Sequence, residues 1–132
     1  MILGAVTLML ADTTLRDAVG RNKANTTWKI YPIACPQEEV IPYITCGLTG
    51  ADPILCKGVG GQPDEESFDV IVWDEDYERL DLIGRRVIDV LNNAVGAAGS
   101  VTFKRLTFIT HKDALDDRSK RMVRIVTFSA SI

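Results

Sequence analysis

A strand-like segment that leads directly into an amphipathic helix constrains the fold of this chain more than any other feature. Residues 68–73 read Phe-Asp-Val-Ile-Val-Trp, so apolar side chains fall on both faces of a strand. A strand of this kind is central in its sheet or covered on both sides. The following helix is predicted to begin at Asp74 or Asp76, to run to about Val95 and to end at Gly96.

This helix carries an apolar stripe at three- and four-residue spacing, which predicts that one of its faces packs against the sheet. The stripe consists of Tyr77, Leu80, Ile83, Gly84, Val87, Leu91 and Ala94. We expect these residues to be buried, together with Trp73 in the preceding strand.

Weaker patterns place the remaining elements. An amphipathic helix is predicted from Ile2, and a second short helix begins at the N-cap Asp12 and stops at Gly20. Further strands are predicted at residues 28–33, 40–48, 101–110 and 122–132, the last two joined by a charged turn over residues 111–120. The order α-β-β-β-α-β-β over residues 1–132 predicts a single α+β domain with a mostly antiparallel β-sheet and the long helix packed on it.

A long glycine-rich loop is predicted at residues 47–64. A connection of this length in a compact domain is usually functional or disordered. We expect it to be mobile in the free subunit and to be fixed only when it contacts a neighbouring molecule. The apolar residues predicted to anchor that contact are Leu48, Ile54 and Leu55. A plain flexible insertion explains the same composition.

Charge is distributed unevenly along the chain, although the total is only −3. Residues 64–81 hold nine acids against Arg79 alone, whereas residues 82–132 hold nine bases against four acids. The weakly acidic total argues against general affinity for nucleic acids. Segments of opposite charge suit head-to-tail contact between copies of the chain, but charge alone favours the simpler explanation, the solvated faces of a monomer.

The sequence shows no catalytic, cofactor or metal motif. His111 is the only histidine and the chain has three cysteines without CxxC spacing, so one chain cannot assemble a zinc site. We interpret the cysteines as buried free thiols. No apolar run approaches the ~20 residues of a membrane helix. Helix capping explains the acids from Asp74 to Asp81, and a carboxylate-dependent metal hydrolase at this cluster remains an alternative.

Short motifs that follow one another along nearly the whole chain resemble one family. They are Leu10–Asp12, Leu15–Gly20, Ile30–Pro32, Ala34–Gln37, Ile41–Ile44, Phe68–Trp73, Ile83, Val87, Leu91, Asp117, Arg121, Val123 and Phe128. This arrangement resembles the tail terminator (tail completion) proteins of long-tailed bacteriophages, a family that includes minor tail proteins of the lambda type. The length of the segment at residues 47–63 and the cysteine at position 46 depart from the family pattern.

The resemblance implies a structural role in a virion. Such proteins form a hexameric ring that caps the finished tail tube, stops its polymerisation and joins it to the head connector. The implied partners are copies of the chain itself, the tail tube protein, the head completion or connector protein, and DNA that passes through the lumen without sequence-specific binding. The implied location is the tail or neck of a virion assembled in the host cytoplasm, with no membrane, no cofactor, no metal and no catalytic residue. Another neck or head–tail joining protein is the alternative within this class.

Charge and resemblance together predict residues at the interface between ring subunits. We expect Asp74, Glu75 or Glu78 to meet an arginine of the adjacent subunit. The candidate arginines are Arg85, Arg86, Arg121 and Arg124. In the alternative arrangement the acids face the lumen, where like charge lets DNA slide past.

Overall fold

A computed structural model gives the fold of the chain. It describes residues 2–21, 27–32, 41–48, 65–94, 96–98, 101–103, 105–116 and 121–131. The helices are α1 (Ile2–Ala11), α2 (Thr13–Val19) and α3 (Tyr77–Leu91). The strands are β1 (Ile30–Pro32), β2 (Tyr43–Leu48), β3 (Glu65–Asp74), β4 (Gly96–Ala98), β5 (Val101–Phe103), β6 (Arg105–Asp116) and β7 (Arg121–Ser131).

A five-stranded sheet forms the centre of the molecule, in the order β1-β2-β3-β7-β6. The short strand β1 runs parallel to β2, and the other neighbours pair antiparallel. Strands β4 and β5 form a separate two-stranded sheet. The prediction of an α+β domain with a mostly antiparallel sheet is therefore confirmed, and so is the central position of β3.

The three helices cover one face of the five-stranded sheet, and the hydrophobic core lies between them and that face. Alternate residues of β3 and β7 point into this core, which places the rings of Phe68 and Phe128 in a stack 5.6 Å apart. The α3 side chains that pack on them are Leu80, Ile83, Val87 and Leu91, all buried as predicted. Each large apolar side chain buried here contributes about 1.5–3 kcal/mol.

The first two helices are held against α3 by an ion pair. Asp12 caps α2 by accepting the backbone N–H of Leu15 at 2.9 Å, as the sequence predicts. The same carboxylate accepts both branches of the Arg86 guanidinium, at 2.6 and 2.9 Å. Gly20 then ends α2 with a positive φ of 75°, which glycine adopts without strain. Local capping and long-range pairing therefore meet at Asp12.

Helix α3 is shorter than predicted. It ends at Leu91 instead of near Val95, because Asn93 adopts a left-handed φ of 66° through which a helix does not continue. The backbone N–H of Asn93 donates to the carbonyl oxygen of Leu106 in β6 at 2.8 Å, which holds the chain in that turn. Asparagine tolerates this conformation better than most residues, so the end of the helix could have been predicted from the asparagine at position 93.

The second half of the chain contains more strand than predicted. The expected strand at 101–110 is divided between β5 and β6, and β4 was missed. Strand β6 also continues through His111–Asp116, which the sequence placed in a turn. These residues pair with β7 as far as Asp116 opposite Arg121, with a bulge at Ile109. Side chains from Ile109 to Leu115 are exposed on both faces, so no alternation of apolar and polar residues marked them as a strand.

The two aromatic residues beside the start of α3 are less buried than predicted. Tyr77 is 53% exposed, because it is the first residue of α3 and points past the edge of the core. Trp73 is half-buried, because its position in β3 directs it to the face of the sheet opposite α3. Ala94 lies beyond the end of the helix and is half-buried.

The predicted thiol and loop residues are described only in part. Cys46 is a free, buried thiol, and burial raises its pKa to about 12. Leu48 is the last residue of β2, and only its backbone is described. The remaining positions lie outside the described residues: Cys35, Cys56, Ile54, Leu55 and the rest of the segment 49–64.

Candidate functional site: the charged end of the sheet

Three elements meet at one end of the five-stranded sheet: the last residues of β3, the first two turns of α3, and the adjoining part of the β6–β7 hairpin. The register brings them together, because Asp74 pairs with Met122 of β7 and Met122 pairs with Leu115 of β6. This region is named the charged end. Its members are Asp74, Glu75, Asp76, Tyr77, Glu78, Arg79, Asp81, Asp113, Arg121 and Arg124.

Asp74 is fully buried at the charged end and is bound within its own chain. Its carboxylate accepts two hydrogen bonds from the Arg79 guanidinium, at 2.5 and 2.6 Å, and two from the backbone N–H groups of Glu75 and Asp76. Burial by itself raises the pKa of Asp74, but these bonds outweigh it and hold the pKa below its ordinary value. Asp74 orients the turn into α3. Its carboxylate is thus bound inside the subunit, and the interface contact expected of Asp74 stays a prediction.

Arg124 lies at the centre of the charged end and is only 4% exposed. Its guanidinium donates to both carboxylate oxygens of Asp113, at 2.7 and 3.0 Å, and to Asp81 at 2.6 Å. These bonds lower the pKa of Asp113 and of Asp81 and raise the pKa of Arg124. The guanidinium also lies 5.8 Å from the centre of the Tyr77 ring. Arg124 thus connects α3 to β6 and β7 inside the subunit, and its expected interface contact stays a prediction.

Gly84 makes room for the Arg124 side chain beneath α3. A Cβ at position 84 would lie 2.6 Å from Cδ of Arg124 and 3.2 Å from its Nη1. Carbon atoms in proteins do not approach so closely, so the arginine reaches Asp81 only because residue 84 has no side chain. The helical stripe predicts that Gly84 is buried, but only the tertiary structure shows what fills the space.

Glu75, Asp76 and Glu78 are exposed acids at the start of α3. The side chain of Asp76 caps α3 by accepting the backbone N–H of Glu78 at 3.0 Å. Within the described part of the chain, neither Glu75 nor Glu78 forms an ion pair. Their charges are favourable at the N-terminal end of a helix, and their side chains remain available to a partner.

The other predicted interface arginines occupy three different environments. Arg85 is largely exposed and pairs with Asp81 at 2.9 Å, one helical turn away. Arg86 pairs with Asp12, away from the charged end. Arg121 is half-buried and donates to the hydroxyl of Tyr43 at 2.9 Å. The fold therefore pairs several acids and bases inside one subunit and does not separate all of them onto opposite edges.

The sheet face opposite the helices carries an aromatic pair that the sequence did not reveal. Tyr43 of β2 lies opposite Trp73 of β3 in register, and their rings stack with centres 5.7 Å apart. The indole N–H of Trp73 donates to the hydroxyl of Thr45 at 3.1 Å, and the Arg121 guanidinium lies 5.6 Å from the centre of the Tyr43 ring. The sequence analysis placed both aromatic residues in strands. Their contact depends on a strand register that local pattern does not specify.

Strand β6 forms one edge of the sheet and is the second feature that the sequence did not reveal. Every residue from Ile109 to Leu115 is exposed, on both faces of the strand. Ile109 and Leu115 are 54% and 57% exposed, which is unusual for large apolar side chains on a strand. The exposed cations of β6 include Arg105 and Lys112, whereas its Asp113 is already bound to Arg124.

The chemistry of the charged end is that of ion pairs and exposed carboxylates. Among the described residues, no group of three or more His, Cys, Asp and Glu side chains is arranged to hold a metal ion. Asp74 and Asp81 face guanidinium groups instead. No helix within the described ranges combines the length and apolar character needed to cross a membrane.

Comparison with protein-family models finds no match, and neither does comparison with curated proteins. Among solved structures, the chain is similar to a chain from the virion of a native gene transfer agent (GTA) particle, with a TM-score of 0.74. The two chains share one fold. The similarity covers 99% of this chain and 92% of the other, at 16% sequence identity.

Proposed function

We propose that the chain is a structural protein of a phage-like virion, where it forms a ring at the end of the tail tube, stops tube polymerisation and joins the tail to the head. The observation that carries this proposal is the fold shared over almost the whole length with a chain of a GTA virion. The tail-terminator role rests on the motifs that resemble that family, among them Ile30–Pro32 and Ile41–Ile44.

The architecture suits a subunit that must keep its shape in a closed assembly. Ion pairs bind the helices to one another and to the sheet at separate points, through Arg86 with Asp12 and through Arg124 with Asp81 and Asp113. Pairs of this kind hold a helix in one orientation, because each guanidinium fork matches one carboxylate geometry. A rigid subunit with exposed charge at one end fits a structural role that needs no catalytic group.

In the proposed ring, Glu75 and Glu78 meet basic side chains of the adjacent subunit. They are the members of the predicted acid set that remain exposed and without an ion pair to another described residue. Contacts of this type contribute about 0–1 kcal/mol per pair. Salt screens them over a Debye length of about 10 Å at 0.1 M, so the ring is expected to loosen as salt rises.

A tube-assembly assay tests the proposed function. The tail tube protein of the same virion is allowed to polymerise with and without the purified chain, and tube lengths and ends are examined by electron microscopy. We expect shorter tubes with a ring on one end. Binding to the head connector without any effect on the tube would favour the alternative of another neck or head–tail joining protein. Binding to neither would contradict a role at the head–tail joint.

Charge reversal tests the position of the acids in the ring. The double variant Glu75→Lys, Glu78→Lys is expected to give monomers by light scattering if these acids lie at the subunit interface. Reversal of Asp17, an exposed acid on α2, serves as the matched control. A ring that survives the double reversal and also resists salt would place the acids elsewhere, as in the arrangement where they face the lumen.

A further inference from the structure

We infer that a cluster of arginine and tryptophan side chains beside β1 receives the exposed acids of a second copy of this chain. The cluster consists of Arg16, Arg21 and Trp28, and it is named the Trp28 cluster. In the contact, its guanidinium groups bind the carboxylates of Glu75 and Glu78 of the neighbouring copy. The inference rests on the proposed function and deepens it, because it names basic side chains that meet these acids in the ring.

Two guanidinium groups converge on one indole ring in the Trp28 cluster. The Cζ atom of Arg21 lies 4.6 Å from the centre of the Trp28 ring, and that of Arg16 lies 5.2 Å from it. Arg16 reaches the ring from α2, and Arg21 pairs with Trp28 in an isolated antiparallel β-bridge. A guanidinium held by an aromatic ring loses less freedom when it binds, and its planar fork matches a carboxylate.

The stretch of chain that carries the cluster is rich in bases. Residues 13–32 hold four bases against one acid, Asp17. Arg16 is half-buried and forms no ion pair with a carboxylate of the described residues. Glu75 and Glu78 are the matching exposed carboxylates elsewhere on the subunit. Opposite charges on two surfaces favour contact between copies of the chain.

The strand register places the Trp28 cluster at the same end of the sheet as these acids. Ile30 of β1 pairs with Ile44 of β2, and Ile44 pairs with Val72 of β3. Counted back two residues along β1, Trp28 therefore lies level with Asp74, the residue that leads into α3. Copies that stand side by side at one height bring these two levels together.

The cluster and the acids lie on different sides of the sheet end. Strand β1 is one edge of the sheet and β6 is the other. Helix α3 begins over β6 and β7, since the Tyr77 hydroxyl donates to Asp113 and accepts from Arg124, both at 3.4 Å. Neighbouring strands are about 4.8 Å apart, and β2 separates β1 from β3. The two surfaces share no residue, and heterologous contacts between such surfaces close into rings.

Carboxylates fit the Trp28 cluster better than the phosphates of DNA do. The exposed Asp17 lies next to Arg16 on α2, where it repels a continuous polyanion that passes over the cluster. Binding to duplex DNA depends on many basic contacts, and this chain has a net charge of −3. Two carboxylates on a helix start need only the two guanidinium groups.

A charge-swap experiment tests the inference on the full chain. Three variants are compared with the unmodified chain by native mass spectrometry and light scattering at low salt. They are Arg16→Glu with Arg21→Glu, Glu75→Lys with Glu78→Lys, and all four changes together. Each double variant is expected to lose the oligomer, because like charges then meet at the contact. The quadruple variant and an equimolar mixture of the two double variants are expected to recover it, because every contact again joins opposite charges.

Arg105→Glu is the matched control, because it reverses an exposed cation on the opposite edge strand, β6. It should leave the oligomer intact. Recovery in the mixture shows that both double variants are folded, so loss of the oligomer in each alone is not a folding defect. If neither the mixture nor the quadruple variant reassembles, the arginines and the glutamates do not meet.

Two further results separate this inference from the proposed function. An oligomer that persists in the Arg16→Glu, Arg21→Glu protein, while the glutamate variant is monomeric, would overturn the inference and leave the ring standing. Fluorescence anisotropy with a labelled DNA duplex supplies the other. If the arginine variant keeps its oligomer and loses binding to the duplex, the cluster serves DNA and the inference is wrong. A chain that is monomeric without any substitution would contradict the ring itself.

Discussion

Arg124 shows how one residue can connect three elements of this fold. It belongs to the face of β7 that packs under α3, where its neighbours Val126 and Phe128 are apolar and fully buried. A guanidinium in such a place is stable only when its donors are satisfied, and Asp113 and Asp81 accept from it on two sides. Residue 84 is a glycine and has no Cβ, which leaves space for the Arg124 side chain, so the ion pairs and the glycine form one unit.

The substitution Gly84→Ala tests this unit. The added Cβ would meet Cδ of Arg124 at 2.6 Å, so the arginine must move and its bonds to Asp113 weaken. Overpacking costs about 1–3 kcal/mol and a hydrogen bond to a charged group about 1.5–3 kcal/mol, against a gain of about 1 kcal/mol in helix propensity. We expect the free energy of unfolding to fall by about 1–3 kcal/mol in denaturant titrations.

Gly47→Ala is the matched control, because a Cβ there meets nothing within 4 Å. It is expected to change stability by no more than about 0.5 kcal/mol. A double-mutant cycle with Arg124→Met should show that the two losses are less than additive. Full additivity would mean that the glycine and the arginine act separately.

Acid is expected to destabilise the subunit through the same carboxylates. The pKa values of Asp74, Asp81 and Asp113 are lowered in the folded chain by their arginine partners. A carboxyl whose pKa is lower in the folded chain than in the unfolded chain stabilises the fold at pH values above the unfolded pKa. This contribution is lost as the pH falls through the folded pKa. The free energy of unfolding should therefore decline as pH drops below about 4.

Urea unfolding at pH 7 and at pH 3 measures this effect. The Arg124→Met variant should lose less stability between the two pH values than the unmodified chain, because Asp81 and Asp113 then titrate closer to their ordinary range. Equal acid sensitivity of both proteins would show that the Arg124 network does not contribute.

At the scale of elements, α3 and β3 form the central unit of the fold. Strand β3 pairs on both sides, with β2 and with β7, and α3 packs across the same strands. Two aspartates stabilise the turn between them through different hydrogen bonds. Asp74 accepts the backbone N–H groups of the turn, and Asp76 caps the helix. The helix therefore starts at a defined residue and presents its stripe to the core.

Leu91→Ala tests the packing of this helix. Leu91 is fully buried in the last turn of α3, so truncation leaves a cavity against the sheet and should lower the free energy of unfolding by about 2–5 kcal/mol. Leu82→Ala on the same helix is the control, because Leu82 is 69% exposed and its truncation should cost about 0.5 kcal/mol or less. An unchanged melting midpoint in Leu91→Ala would contradict the placement of α3.

At the scale of the whole molecule, the subunit has two kinds of surface. Helix α3, with its ion pairs, covers and braces one side of the sheet. The charged end exposes Glu75, Asp76 and Glu78, and the β6 edge exposes Ile109, Lys112 and Leu115. The aromatic pair of Tyr43 and Trp73 lies on the remaining face of the sheet, beside Arg121. Distinct surfaces of this kind suit the proposed position of the subunit between the tail tube and the head.

The glycine-rich segment gives a further prediction at this scale. If it contacts the tube or the neck through Ile54 and Leu55, deletion of residues 52–60 should leave the ring intact and prevent its attachment to tubes in the assembly assay. Substitution of Ile54 and Leu55 by serine should have the same effect at full segment length. Normal attachment after the deletion would identify the segment as a plain insertion.

The sequence by itself determined the elements whose signals are local. Period-two and helical spacing located β3 and α3, and capping residues located α2 and the start of α3, because those signals act between neighbours in the chain. Only the tertiary structure decided which charges stay exposed. Arg124 and Asp113 lie eleven residues apart and Arg86 and Asp12 lie 74 apart, so these pairs depend on register and packing. For the same reason the second half of β6, His111–Asp116, was placed in a turn: its strand conformation comes from its ladder with β7, and not from its own side chains.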